Sequence, residues 1–338
     1  MYEVRPFGTL RGQDVPLIRL TDGDISVELL PYGAAIRALW VPDREGRSTD
    51  ICLGYDTLEE YRDQDACFGG TIGRCANRIG GASFTVDGTE YRLTANEGAN
   101  TLHGGGEGFH KKLWRYACGE NSVTFTLDSS DGEEGFPGNL RAEVTYTLQN
   151  STLTMEYRAK SDKTTVVNLT NHAYYNLAGH SGGTVHDHGL RVRADRYTPA
   201  GEGNVPTGEL ADVAGTALDL RQGTWLGERL DSRTLAASRG YDHNFVLNGT
   251  PAATLWCPRT GIALDMTTTL PGMQVYTAGF LTPRKGKGGA LYGPAHAVCL
   301  ETQHFPDSPN NPQFTGTTVL RPGEKYDTTT IYVFGIDE

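Results

Sequence analysis

The segments Val144-Thr-Tyr-Thr-Leu148 and Leu153-Thr-Met-Glu-Tyr157 alternate apolar and polar residues on either side of Gln149-Asn-Ser151. An apolar residue at every second position lines one face of a strand and no face of a helix, so the two segments read as half-buried strands joined by a tight turn. The same period recurs in Ile25-Ser-Val-Glu-Leu29, Phe84-Thr-Val86, Val123-Thr-Phe-Thr-Leu127 and Ile331-Tyr-Val-Phe334. Asp87-Gly88, a pair suited to left-handed turn positions, separates Phe84-Thr-Val86 from Tyr91-Arg-Leu93 and marks a second hairpin. Hairpins generate antiparallel sheet. The chain is therefore expected to be all-β, a large antiparallel β-sandwich with few short helices, and only Leu58-Glu-Glu-Tyr-Arg62 offers one or two helical turns.

A length of 338 residues permits two domains, but the 43 glycines and 16 prolines are spread along the chain rather than pooled in a linker. No composition break or fixed-period repeat appears, so a single domain over residues 1–338 is the expectation. The formal net charge of −11 argues against a nucleic-acid partner, which demands a concentrated basic face. The clusters Lys111-Lys112 and Arg284-Lys285-Gly-Lys287 are short and read as solvated loops. A small neutral or cationic molecule is the better partner. The first twenty residues lack the apolar core of a signal peptide, and no run of eighteen apolar residues suggests a membrane span. Six scattered cysteines without a Cys-x-x-Cys pair fit reduced thiols in a cytoplasmic protein.

Several chemistries have no footing. Gly-x4-Gly-Lys-Ser/Thr and Gly-x-Ser-x-Gly are both absent, which removes the usual signals for phosphate-loop nucleotide binding and serine hydrolysis. His186-Asp-His188 is a conceivable metal pair on alternate strand positions, yet it lacks a convincing third ligand nearby, so no metal is expected there. What remains is a set of polar islands in apolar surroundings. Glu301 follows Ala-Val-Cys-Leu300, and His172 sits within Asn168-Leu-Thr-Asn-His-Ala-Tyr-Tyr-Asn-Leu177. Buried charge needs a partner, so each is either a paired structural group or a working one.

Taken together, Gly73-Arg-Cys-Ala-Asn-Arg-Ile79, Thr101-Leu-His-Gly-Gly105, Asn171-His-Ala-Tyr-Tyr-Asn-Leu177, Tyr241-Asp-His-Asn-Phe245, Pro271-Gly-Met-Gln274 and Glu301-Thr-Gln-His-Phe-Pro-Asp307 resemble the aldose 1-epimerases, or galactose mutarotases, in order and approximate spacing along essentially the whole chain. The resemblance implies a galactose mutarotase-like supersandwich that interconverts the α and β anomers of free hexoses without a cofactor, as a monomer or homodimer. It implies Glu301 as base on the C1 hydroxyl, His172 as acid on the ring oxygen and His103 as an orienting and assisting histidine. Asn77, Arg78, Asp242 and Gln274 match positions that hydrogen-bond sugar hydroxyls. Strand alternation assigns Tyr174 to the pocket wall and Tyr175 to the core. Ordinary pKa values of about 4.3 and about 6.5 leave a window for an ionised Glu and a cationic His, and a carboxylate near His172 is expected to widen it. Cys75 and Met273 stand where relatives often carry branched aliphatic residues, changes of packing only. Gly279 precedes Phe280 in a loop that shapes the pocket and so bears on hexose preference.

Three rivals share the architecture. A hexose 6-phosphate epimerase needs a basic cluster, for which Lys111-Lys112 or Arg284-Lys285 are the candidates. A non-catalytic carbohydrate-binding module is expected to have lost the acid or the base. A glycoside hydrolase would pair Asp242 with Glu301 and leave the His172 motif without a role.

Overall fold

The structure is a computed structural model that describes residues 1–314 and 316–337. Its regular elements follow from turn chemistry. Asn150 and Ser151 adopt φ of 52° and 57°, the backbone of a two-residue type I′ turn, and Gln149 pairs directly with Thr152 across it. That register places Val144 opposite Tyr157, Tyr146 opposite Met155 and Leu148 opposite Leu153. All six side chains are buried, each contributing about 1.5–3 kcal/mol of transfer free energy. Asp87 and Gly88, at φ of 51° and 77°, make the equivalent turn between Ser83–Val86 and Thr89–Arg92.

Three antiparallel sheets carry the fold. The first runs in chain order through Tyr2–Leu10, Gln13–Asp22, Ile25–Leu30, Ala35–Pro42 and Ser48–Asp50. The second has nine strands, beginning with Arg115–Cys118, Ser122–Ser129, Leu140–Gln149 and Thr152–Ser161. The C-terminal strand Tyr326–Ile336 then inserts before Ile262–Thr268, Ala253–Trp256, Gly189–Val192 and Thr224–Trp225 complete it. The third orders Ala211–Asp212, Arg196–Thr198, Asp242–Val246, Gly272–Tyr276 and Cys299–Gln303. One continuous apolar core joins them, with Ile18, Val27 and Leu39 from the first, Phe125, Tyr146 and Met155 from the second, and Phe245, Met273 and Leu300 from the third.

The segment Ile25–Leu30 departs from its alternating pattern, because every residue in it is buried. Glu28 is paired there with Arg5 at 2.9 Å and with Arg37 at 2.5 Å. A polar residue that alternation would send to solvent is thus covered by its own counter-ions. The helix at Leu58–Asp63 is where the pattern places it, closed by a capping box between Thr57 and Glu60. A one-turn helix, Arg233–Ala236, is too short to show a period and rests on its Ser232 cap. No helix among the described residues is long and apolar enough to cross a membrane.

The two arginines of Gly73-Arg-Cys-Ala-Asn-Arg-Ile79 have separate duties. Arg74 is 2% exposed and donates to the carbonyls of Ser129, Ser130, Pro137 and Gly138 and to Ser129 Oγ. It ties the segment that leads to the cavity onto the edge of the nine-stranded sheet. Arg74→Met keeps the volume but takes the donor from the Pro137 and Gly138 carbonyls, while the Ser130 carbonyl keeps the Glu133 N–H; a carbonyl left unpaired in the interior costs about 1–3 kcal/mol. The expected result is a fall of about 2–3 kcal/mol in urea-unfolding stability with an unchanged m-value, while turnover per folded molecule stays within about twofold.

Candidate active site

The third sheet presents two chemically different faces. Phe245 pairs with Met273, and Val275 pairs with Leu300; these four side chains enter the apolar core. One residue along in each strand the side chains point the other way. Asp242 pairs with Tyr276 and Gln274 with Glu301, and all four line a cavity of about 220 Å³. The alternation in Met273-Gln-Val-Tyr276 and Cys299-Leu-Glu301 is therefore what turns the carboxylates toward the cavity while anchoring their backbones in the core.

The opposite wall is made of loops locked by backbone hydrogen bonds. His172 N–H donates to the Gly70 carbonyl at 2.9 Å, and Gly69 N–H donates to the His172 carbonyl at 3.0 Å. Asn171 faces away from the cavity, donating to the Gly69 carbonyl at 2.7 Å and to the Tyr146 hydroxyl at 3.1 Å. Tyr174 stacks on the His172 ring with centroids 5.0 Å apart, whereas Tyr175 packs into the core against Tyr332, as strand alternation suggested. Asn77 and His103 hold left-handed backbone, at φ of 59° and 53°, and clasp one another: His103 N–H donates to the Asn77 carbonyl at 3.0 Å, and Asn77 N–H donates to His103 Nδ1 at 3.2 Å. The next residue has to be glycine, since a Cβ on Gly104 would lie 2.0 Å from the Gly73 carbonyl oxygen.

Every residue singled out in the sequence, Asn77, Arg78, His103, His172, Tyr174, Asp242, Gln274 and Glu301, lines this one cavity. His172 Nε2 lies 3.6 Å from Glu301 Oε1, with the side chains 7% and 2% exposed. His103 meets the edge of His172 with centroids 5.3 Å apart. Burial, reinforced by Asp242, pushes the Glu301 carboxyl well above its ordinary range, and burial lowers His172 to about 4. The expectation that a neighbouring carboxylate would favour imidazolium is thus corrected: at this depth desolvation outweighs the attraction and presses both groups toward neutrality. Burial lowers His103 well below its usual value as well, with His172, His110 and Arg78 acting in the same direction. Asp242 is also raised by burial, against the pull of Arg78 and the 2.7 Å hydrogen bond donated by Gln274 Nε2.

Other lining residues escaped the sequence reading. Glu97 grips Arg78 through two short hydrogen bonds, at 2.6 Å to Nε and 2.7 Å to Nη2, but in Asn96-Glu-Gly98 it reads as a solvated turn. Cys67, Asp65 and Arg284 reach the cavity from loops without a period. Tyr276 was findable, being two residues beyond Gln274 on the same strand face. Phe280, 43% exposed, stands at the rim under the Arg239 guanidinium.

Donor atoms of His103, His172 and Glu301 lie within 4.8 Å of one another, a set that can hold a divalent cation. The clasp on His103 opposes that use. Its Nδ1 accepts the Asn77 N–H, so the neutral ring carries its proton on Nε2 and offers the cavity a donor rather than a lone pair. The His186-Asp-His188 pair is not a strand pair at all: His186 is exposed in a turn, while buried His188 accepts from Leu177 N–H at 3.0 Å. The basic clusters are likewise engaged. Lys111 Nζ donates to the Gly106 carbonyl, Lys112 pairs with Glu133, and Arg284 pairs with Asp65 and donates to the Tyr55 hydroxyl.

Proteins similar to this chain over most of its length are known. The family model for aldose 1-epimerase matches residues 16–333. The chain is 45% identical over 331 residues to the galactose mutarotase of Homo sapiens, covering 96% of this chain and 95% of that protein. It is 38% identical over 333 residues to the aldose 1-epimerase of Escherichia coli (strain K12), covering 96% of each. Among solved structures, an aldose epimerase homologue from C. elegans superposes with a TM-score of 0.88 at 32% identity over 95% of this chain and 99% of that one. A galactose 1-epimerase from Lactobacillus acidophilus does so with a TM-score of 0.87 at 30% identity over 100% and 99%. With the sandwich, the cavity and the chain-long match in agreement, this protein belongs to the aldose 1-epimerase family and is an isomerase.

Proposed function

We propose that the enzyme interconverts the α and β anomers of free hexoses such as galactose and glucose, with Glu301 and His172 as its acid–base pair. The observation that carries this reading is their 3.6 Å separation inside a cavity lined with hydroxyl-recognising groups. Ring opening needs a base at O1 and an acid at O5. The Glu301 carboxylate takes the O1 proton, the C1–O1 bond becomes a carbonyl, the C1–O5 bond breaks, and O5 takes a proton from the His172 imidazolium. Rotation about C1–C2 presents the other aldehyde face. Closure then returns a proton from Glu301 to O1 while His172 removes one from O5.

The pair therefore carries one proton throughout and alternates between two forms, carboxylate with imidazolium and carboxylic acid with neutral imidazole. Each form serves one half of the reaction. Burial favours the neutral form, and the short separation lowers the cost of reaching the ionic one during turnover. His103 Nε2–H assists at O5. Arg78 and the Asn77 amide donate to sugar hydroxyls, Asp242 accepts from them, Gln274 holds Asp242 in place, and Tyr174 backs the His172 ring.

The free-sugar reading is favoured over a hexose 6-phosphate because Arg284, Lys111 and Lys112 already have partners. A binding module has no use for an acid and a base so close, and a hydrolase leaves His172 idle. Polarimetry of freshly dissolved α-galactose and α-glucose tests the reading, with glucose 6-phosphate as comparison. Glu301→Gln and His172→Asn should each lower kcat/KM by about 10²–10⁴-fold, since either proton transfer alone leaves the reaction incomplete. Full activity in Glu301→Gln removes the assignment.

The pH profile supplies an independent check. Activity requires the singly protonated pair. A second proton is taken up as pH falls through the lowered His172 value of about 4, and the single proton is lost as pH rises through the raised Glu301 value. After subtraction of spontaneous mutarotation, kcat/KM should be bell-shaped, with its acid limb near 4 rather than near the ordinary histidine value of about 6.5. An acid limb at the ordinary value would mean that His172 is solvated in the working enzyme.

A further inference from the structure

Among the described residues Arg78 is the one cation that acts on both Asp242 and Glu301, and its side chain is only 11% exposed. Glu97 engages it bidentately, Oε2 with Nε at 2.6 Å and Oε1 with Nη2 at 2.7 Å, so that Nη1 is the nitrogen left without a carboxylate. Nor is Glu97 on a loose loop. Glu97 and Asn100 exchange backbone hydrogen bonds at 3.1 Å and 3.0 Å, Asn96 Oδ1 accepts from Leu102 N–H at 2.7 Å, and Asn96 Nδ2 donates to the carbonyls of Leu102 and Gly105 at 3.0 Å and 3.1 Å. The turn that carries Glu97 is thereby pinned on both sides of His103, while Arg78 N–H is held by Asn77 Oδ1 at 2.9 Å. Two short segments that each bear a pocket residue are cross-braced through one ion pair.

We propose that Glu97 is a positioning residue of this pocket: by holding the Nε and Nη2 edge of Arg78 it aims the guanidinium at the sugar and keeps it from pairing with the catalytic carboxylate. A bidentate carboxylate–guanidinium contact fixes direction as well as distance. Without it, the carboxylates that still act on a buried guanidinium are Asp242 and Glu301, and a Glu301 paired to Arg78 is a weaker base. The charged and titratable groups around Arg78 are Glu97, Asp242 and Glu301, with His103 and His172 beyond them. Burial works against the charge of Arg78, and Glu97 is the foremost of the carboxylates that hold its pKa up. Removing the Glu97 charge leaves the guanidinium unopposed, which stabilises Glu301 as carboxylate and moves every proton loss in the pair to lower pH.

The proposal rests on the anomerase reading of the cavity, and its test separates the two. Glu97→Gln and Glu97→Asp are compared with wild type by polarimetry from pH 4 to pH 10, by thermal melting and by titration calorimetry with galactose, alone and in an Arg78→Ala background. The expected result for Glu97→Gln is a rise of about three- to tenfold in KM and in the galactose dissociation constant, with both limbs of the pH profile displaced toward acid and little change in melting temperature. Glu97→Asp, which keeps the charge, should recover the limb positions. In the Arg78→Ala background Glu97→Gln should add less than about twofold, because the effect travels through Arg78. A Glu97→Gln profile and KM that overlay wild type, losses that follow melting temperature with fixed limbs, or equal losses with and without Arg78 each overturn the proposal. Wild-type protein that neither binds nor anomerises a hexose sinks the anomerase reading and this proposal together; active wild type with an indifferent Glu97→Gln sinks this proposal alone.

Discussion

The depth at which Glu301 and His172 face one another governs the rest of the structure. Two ionisable groups, 2% and 7% exposed and 3.6 Å apart, lose far more by desolvation than a surface pair, and a site this dry is stable only if its backbone cannot relax away. The third sheet answers that requirement with an amphipathic face. Phe245, Met273, Val275 and Leu300 fasten the strands to the core, and the alternate positions are thereby committed to the cavity. A slip of one residue in register would exchange Glu301 for Leu300 and bury the wrong set, so the apolar pattern itself specifies where the Glu301 carboxyl points.

The strand that carries Glu301 is also tied to Tyr326–Ile336. Tyr332 donates its hydroxyl to the Leu300 carbonyl at 2.9 Å, and Thr330 Oγ1 meets Thr302 Oγ1 at 2.6 Å. These contacts fall on the two residues that flank Glu301, on the side away from the cavity. Tyr326–Ile336 lies between Thr152–Ser161 and Ile262–Thr268, so the nine-stranded sheet is continuous only after the C-terminal strand has entered it. Local hairpins can form early, whereas the support behind Glu301 waits for the C-terminal strand to seat between Thr152–Ser161 and Ile262–Thr268.

Much of this was legible because it is local. Asn150-Ser151 and Asp87-Gly88 announce their turns, period two announces the strands beside them, and the Thr57 capping box lies next to the short helical pattern. The eight pocket residues were recoverable through the family resemblance, and Tyr276 was within reach of alternation alone. What was not legible depends on distant partners. Glu28 has the pattern of a solvent-facing residue and is buried because Arg5 and Arg37 cover it. Glu97 has the pattern of a turn residue and belongs to the pocket because Arg78 arrives from another segment. The protonation balance of Glu301 and His172 is likewise a property of depth, which residue identity does not encode.

The electrostatic composition of the cavity also bears on which substrates it suits. Glu301, Asp242 and Glu97 stand around the Arg78 guanidinium, and burial presses the histidines beside them toward the neutral form. Such a site can form many hydrogen bonds without gaining a net positive charge. A neutral polyol exploits that: its hydroxyls donate to the carboxylates and accept from Arg78 and the Nε2–H of His103, and no new charge is buried. A phosphorylated sugar would bring a dianion close to three carboxylates, while the arginine at the mouth, Arg284, is already engaged by Asp65. The same balance acts on Glu301, whose carboxyl is raised by burial and by Asp242 and lowered by Arg78, so an added cation would favour its carboxylate and an added anion its acid form. The fit of the cavity to an uncharged ligand and the raised Glu301 carboxyl are thus linked through lining guanidiniums, those of Arg78 and Arg284, that are already paired.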